Sequence, residues 1–549
     1  MPHMESYQLK AAEAQQNVRD SIPLAWRLPS PASYSGDLRK VASQCGLLSE
    51  RQLIITEVTA SEALGCIRSG RWKAVEVVEA FCIRAAIAHQ LVNCLVEFFP
   101  AEAIAEAKAL DDEHAKTGRT AGPLHGLPMA IKDMHGVKGR VVTMGAVAWL
   151  DNPACTYDSS PVKIMRDAGA IFFGRTTMPQ TGMALETVSN LWGRTLNPYN
   201  AAFGSGGSSG GCAALVAMRG EPAAPITTDI GGSIRVPAAF NGLYAMRPTA
   251  ERAPRAGMLS AAKGNVSIKV STGPCCHTMD DLKLFIRLLM THPSIPYEPT
   301  CSIPFWKELA SPRELRIGIM ATDGVVDPHP PIQRAIRETT AKLEAAGYEV
   351  LAFRPPFDLW EAALTTWALY FQTGAKEMKA ILDQAGEPPI AQFQHNYEVF
   401  KTKELSVPEL FAHNAQQAAY KAAFQEAWDA ARIDCILCPC APAAGIPHDF
   451  ALWWGYTTIW NLLDYPSVIM PVKDLKISAA ADPKDLSYLP RDNPFDKPNW
   501  QLYEPEVWGT QPVTLQLVGR PYHDEVLIAA CEAIDGVVND KSGGRGSRL

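Results

Sequence analysis

The chain has 549 residues, 47% of them hydrophobic and 20% charged, with a formal net charge of −7. That length admits two to four ordinary domains or one large α/β enzyme, and the balance is that of a globular chain rather than a disordered one. No run of Lys and Arg could neutralise several phosphates in a row, so nucleic acid is not expected as a ligand, and no stretch of about 18 uninterrupted apolar residues marks a membrane span.

Residues 1–56 read as a helical arm. "MPHMESYQLKAAEAQQNVRD" is polar and Ala/Gln-rich without the apolar centre of a secretory signal, and the Pro/Ser-rich "RLPSPASYSGDL" follows it. From residue 57 to about 540 helical and strand patterns alternate, which predicts one α/β domain, a sheet covered by helices. "AEAIAEAKALDDEHAKTG" is helical and stops at Gly118; "PMAIKD" is a short strand behind a Gly-Leu-Pro turn; "SPVKIMRDAGAIFFGRT" reads as helix, Gly stop and strand.

Lys132 follows the apolar "MAI" and is expected at the end of a buried strand. A lone lysine is usually a solvated surface charge. To act as a base near pH 7 it must fall about three pH units below its reference value of about 10.4, which costs the ammonium about 4 kcal/mol.

"FGSGGSSGG", residues 203–211, opens into the apolar "CAALVAM". Gly206-Gly207-Ser208-Ser209-Gly210 satisfies the G-x-S-x-G pattern, but turn formers rather than a strand precede it, so a nucleophile elbow is not expected. No Gly-Lys-Ser/Thr ends the run, so neither is a phosphate loop. A second element, "TTDIGGSIRVPAAFNG" at 227–242, places two glycines before Ser233, where a tight turn can converge several N–H groups on a developing oxyanion.

Further along, "PPIQRAIRETTAKLEAAGYEVLAF" repeats the helix, Gly and strand unit, with Ile332, Ala335, Ile336 and Leu343 on one helical face and Gly347 closing the helix. "DEVLIAACEAIDGVV" puts Leu527, Ala530, Cys531 and Ile534 on one face, and the Pro-rich stretches at about 293–312 and 473–512 read as surface excursions. The thirteen cysteines are an odd number in mostly apolar runs, which fits buried thiols in a reducing compartment. Cys435, Cys438 and Cys440 close a strand-like run with no second pair at ligand spacing, so core packing is preferred to a zinc site. Residues 541–549 form a loose tail. It ends in Ser547-Arg548-Leu549, similar to the Ser-Lys-Leu peroxisomal address, so the expected compartment is the cytoplasm with the peroxisome as alternative.

Taken together, "PLHGLPMAIKD", "GGSSGGCAALVA" and "TTDIGGSIRVPAAFNGLYAMRPT" resemble, in order and spacing, the signature of the amidase signature family of serine hydrolases. The likeness continues through "DCILCPCAPAA" and "PVTLQLVGRPYHDEVLIAACEAI", covering roughly residues 57–538, and "VPAAFN" and "WNLLDYPSVIMPV" are similar to the fungal acetamidase-like branch. The resemblance implies a single large mixed β-sheet with helices on both faces. It implies an amidase with Ser233 as nucleophile, Lys132 as base and Ser208 as the bridging hydroxyl after a cis peptide bond. The amides of Ile230, Gly231, Gly232 and Ser233 match the oxyanion hole, Asp229 and Arg235 a supporting ion pair, and Ser209 and Thr228 supporting hydroxyls. No metal or organic cofactor is implied.

Three departures touch no catalytic atom: Thr227 stands where the family usually has Gly, the interval from Ser208 to Ser233 is 25 residues, about one longer than common, and Arg247-Pro248-Thr249 replaces Lys-Pro-Thr. By match, Gly182 and Met183 should lie beside the scissile group; Trp460, with Tyr456 and Trp454, is a candidate wall of the acyl pocket and equally a candidate for the core. The expected partner is a small-molecule amide or carbamate, and a homodimer stays open. Competing accounts are an ester or carbamate hydrolase using the same site, an amide-transferring subunit dependent on partner proteins, and a catalytically silent binding protein.

Overall fold

The computed structural model describes residues 5–293, 298–302 and 306–539. The expected tail and its terminal Ser547-Arg548-Leu549 lie outside the described residues.

Strands β1 (Leu95–Phe98), β2 (Pro128–Lys132) and β3 (Ile171–Thr176) form a three-stranded sheet in the order β1-β3-β2. Eight more strands build one large mixed sheet: β4 (Ala223–Asp229), β5 (Tyr244–Arg247), β6 (Ser271–Cys276), β7 (Arg316–Ile319), β8 (Glu349–Ala352), β9 (Cys435–Cys438), β10 (Ser467–Pro471) and β11 (Thr514–Val518). Its order is β8-β7-β9-β11-β10-β5-β6-β4. β7 runs parallel to β8 and β9, and the other neighbours are antiparallel. The edge strands β2 and β4 of the two sheets pack beside each other.

The pleat explains why helices cover both faces of the large sheet. Alternate residues of a strand point to opposite sides. Cys435 and Leu437 of β9, with Leu515 and Leu517 of β11 and Val468 of β10, meet Ile332 and Leu343 of helix Pro330–Ala345 and Leu527 and Ile534 of helix Asp524–Val538. Ile436, Cys438, Ile469 and Val518 face the other way, toward Trp367, Phe424 and Trp460 on helices Leu359–Tyr370, Val407–Ala431 and Gly455–Leu463. Cys435 and Cys438 therefore sit on opposite sides of one sheet, as packing residues do. The cysteines other than Cys531 are free thiols.

The N-terminal segment begins with helix Ser6–Asp20: Ala11, Val18, Ile22 and Leu28 share one core with the largely buried helix Ala74–Val92 and with β1 and β3. Gln90 secures it, accepting from Leu28 N at 2.8 Å and donating to Trp26 O at 3.0 Å. Gly118 ends helix Pro100–Thr117 in the left-handed region at φ 67°, the role its position predicts. The 473–512 stretch departs from the expected surface excursion. It exposes Leu486 and Leu489 but forms helices Asp496–Leu502 and Pro505–Trp508 and buries Trp500, Tyr503 and Trp508. Its prolines mask aromatic anchors, with Trp508 Nε1 donating to Gly445 O at 3.1 Å.

Candidate active site

Lys132 closes β2 and has no exposed surface. Its Nζ lies 2.8 Å from Ser208 Oγ, 2.9 Å from Ser209 Oγ and 2.8 Å from Thr228 Oγ1. Burial pushes its ammonium down to about 7, against the weaker opposite pulls of Cys212 and Asp229. Two of the three hydroxyls have an acceptor elsewhere: Ser209 Oγ donates to Thr228 O at 3.4 Å and Thr228 Oγ1 to Met134 Sδ at 2.9 Å. Ser208 Oγ has no second acceptor among the described residues.

The glycine-serine run is a buried packing element, not a linker. A Cβ on Gly207 would stand 2.7 Å from Ala184 O, and on Gly210 and Gly211 2.3 and 2.4 Å from the hydroxyls of Thr187 and Thr177, so only glycine lets the backbone pass. The Gly207–Ser208 peptide bond is cis, and helix Gly210–Ala217 follows, every residue buried. Ser209 N donates to Ser233 O at 3.1 Å, tying this run to the second glycine-serine element.

That second element is the turn after β4. Asp229, the last residue of the strand, accepts from Gly232 N at 2.9 Å and from Ile234 N at 3.0 Å. Arg235 grips both Asp229 oxygens, at 3.0 and 2.9 Å, and Asn461 Nδ2 donates to Oδ1 at 3.0 Å. The pair is fully buried; although burial opposes it, the Arg235 guanidinium holds the Asp229 carboxyl far below its ordinary range. Further bonds hold the turn from outside: Thr457 Oγ1 donates to Gly231 O at 2.7 Å and Tyr370 OH to Ile230 O at 2.6 Å. Gly232 sits at φ 129°, and a Cβ there would meet Thr457 Oγ1 at 2.5 Å. Of the four amides expected to face an oxyanion, Gly232 N–H is already given to Asp229. Those of Ile230, Gly231 and Ser233 find no acceptor among the described residues.

A cavity of about 180 Å³ opens here, with Ser208, Thr228, Ile230 and Ser233 on its wall beside Gly182 and Met183. Six methionines line it: Met134, Met144, Met178, Met183, Met258 and Met378. Lys132, Ser208, Ser209, Thr228, Ser233 and the Asp229–Arg235 pair are thus brought together, and Gly182 and Met183 line the same cavity.

Trp460 is not part of this cavity. It is fully buried behind the turn, edge-on to Phe424 at 5.7 Å and near Tyr465 at 6.5 Å, and neither Trp454 nor Tyr456 lines the cavity. An aromatic-rich helix reads the same whether its rings face a ligand or a core. Thr457 and Asn461 are the residues of that helix that reach the site. Tyr370 and the scattered methionines carry no local signal, since they converge only through long-range packing.

The chain is a hydrolase acting on amide bonds. The family model described as Amidase matches residues 76–528, and the chain belongs to this family, the amidase signature enzymes. It is 48% identical to an amidase of Gibberella zeae, covering 97% of this chain and 99% of that one, and 36% identical to an acetamidase of Emericella nidulans, covering 96% and 98%. Among solved structures it is similar to a fatty acid amide hydrolase, with a TM-score of 0.91 at 29% identity over 96% of this chain and 95% of that one. Among the described residues no helix is long and apolar enough to cross a membrane.

Proposed function

We propose that this amidase works by acyl transfer through Lys132, Ser208 and Ser233, with a covalent acyl-enzyme on Ser233. The observation that carries the reading is a fully buried amine, lowered to about 7, ringed by three hydroxyls of which Ser208 alone lacks another acceptor. A neutral amine has two N–H groups and one lone pair. Ser209 and Thr228 accept the two N–H groups, and Ser208 is the hydroxyl free to donate its proton to the lone pair.

In the first half of the reaction Ser233 Oγ attacks the amide carbon, its proton passing to Ser208 Oγ as the Ser208 proton passes to Lys132 Nζ. The carbonyl oxygen takes up the negative charge opposite the N–H groups of Ile230, Gly231 and Ser233, while Gly232 N–H shapes the turn through Asp229. The C–N bond breaks as the protons return along the same path to the leaving nitrogen. Water then repeats the sequence on the ester, releasing the acid and restoring Ser233. No hydrogen bond joins Ser208 Oγ to Ser233 Oγ among the described residues; the transfer requires the two to come within hydrogen-bond distance.

The test is a panel of matched amides, carbamates and esters, each followed by mass spectrometry of the protein trapped during turnover. The reading expects ammonia or amine release and an acyl mass on the peptide holding Ser233. Turnover with an acyl mass elsewhere, or with none under trapping conditions, would remove Ser233 as the nucleophile. A strong preference for carbamates or esters would move the natural substrate there while leaving the mechanism in place.

A further inference from the structure

The segment between β5 and β6 forms one wall of the cavity and brings two cations to it, Arg255 and Lys263. No aspartate or glutamate lies on the cavity wall among the described residues. Arg255 stands apart from its neighbours in this respect. Arg252, three residues earlier, bonds Asp524 and Glu525, Arg247 bonds Asp464, and Arg235 bonds Asp229. The Arg255 side chain has no ion pair or hydrogen bond among the described residues, and its Nε is buried without any partner.

A guanidinium offers a planar fork of donors matched to a carboxylate. Arg255 is half-buried, and its unpaired donors are open to a ligand that enters the cavity. The segment is also well placed: Leu259 N donates to Met134 O at 2.8 Å, two residues from Lys132, and Asn265 Nδ2 to Leu369 O at 2.9 Å. The cavity thus combines reactive serines, six methionine side chains able to adjust to a flexible apolar stretch, and a cationic group without a counter-charge.

Resting on the reading of this cavity as the active site, we infer that the preferred substrate is an amide that carries a carboxylate remote from the scissile bond, separated from it by an apolar stretch and received by Arg255. Lys263, more exposed, adds attraction rather than geometry.

The experiment compares kcat/KM for hexanamide and for the monoamide of hexanedioic acid, which differ in a terminal carboxylate. The unsubstituted enzyme is expected to favour the acid at least tenfold, a preference that weakens in high salt. In Arg255→Gln the ratio should fall to about one, and Arg255→Lys should restore part of it. Equal rates on both compounds in the unsubstituted enzyme, a preference for hexanamide, or an equal loss on both in Arg255→Gln would overturn the inference. A fluorophosphonate probe separates the two levels of failure. If Ser233 is labelled and hexanamide is cleaved without acid preference, only the carboxylate inference falls; if neither amide is cleaved and Ser233 is unlabelled, the proposed function falls and takes this inference with it.

Discussion

Lowering the pH is the most revealing perturbation of this enzyme, because the proposed mechanism needs Lys132 without its proton. The amine is fully buried and lowered by burial from an ordinary value of 10.5 to about 7. That difference corresponds to about 5 kcal/mol of lost preference for the ammonium. With a midpoint near 7, about one molecule in a hundred holds a neutral amine at pH 5, so kcat/KM on a neutral amide should fall about 100-fold between pH 8 and pH 5, tenfold per pH unit on the acid limb. Ammonia release at constant ionic strength reads this directly, with each sample returned to pH 8 to separate titration from unfolding. The nearby buried His135 is held down at about 3 and cannot produce such a limb. Asp323, pushed up to about 6 by burial, does not line the cavity. A rate that stays flat to pH 5, or a limb centred near 10, would refute the argument. The linkage to stability has a definite sign: the folded value lies below the unfolded one, so between about 7 and 10.4 the unfolded chain binds the extra proton and stability rises with pH.

Ser233→Ala should lose at least about 10³-fold in kcat and all acyl-enzyme by mass spectrometry, and Ser208→Ala about 10²- to 10⁴-fold in kcat with the oxyanion turn intact. Asp229→Asn leaves Arg235 buried without its carboxylate and should cost about 3–5 kcal/mol in urea unfolding. Because the Asp229 carboxyl is lowered in the folded state, the stability it contributes is fully present above about pH 4 and is lost only as pH falls further into acid. Full stability of Asp229→Asn at pH 7 would contradict the role given to the pair. Trp460→Ala should destabilise by about 3–5 kcal/mol while the ranking of substrates stays unchanged, since the ring packs against Phe424 and not the cavity; an altered ranking would return it to the pocket.

What the sequence made legible follows from how local each signal is. The strand ending at Lys132, the helix stopped by Gly118 and the amphipathic helix before Gly347 depend on period and punctuation within a few residues, and they stand where expected. The glycines of 206–211 stand out in the sequence, but the groups that press on them, Ala184, Thr187 and Thr177, do not. Non-local features escaped. Trp500, Tyr503 and Trp508 anchor a proline-rich stretch that reads as surface, and Tyr370 and Thr457 brace the turn at Ser233 from distant helices. The cavity is walled by methionines rather than by Trp454, Tyr456 and Trp460, and those methionines come from separate stretches of chain.

The central claim is that one buried amine is neutral near physiological pH, and it can be measured without any substrate. With lysine labelled at 13Cε, the resonance absent from Lys132→Met reports the protonation of that side chain alone. The account predicts a titration midpoint near 7. A midpoint near 10 would mean that Lys132 is a permanent ammonium at pH 7, unable to take the proton from Ser208.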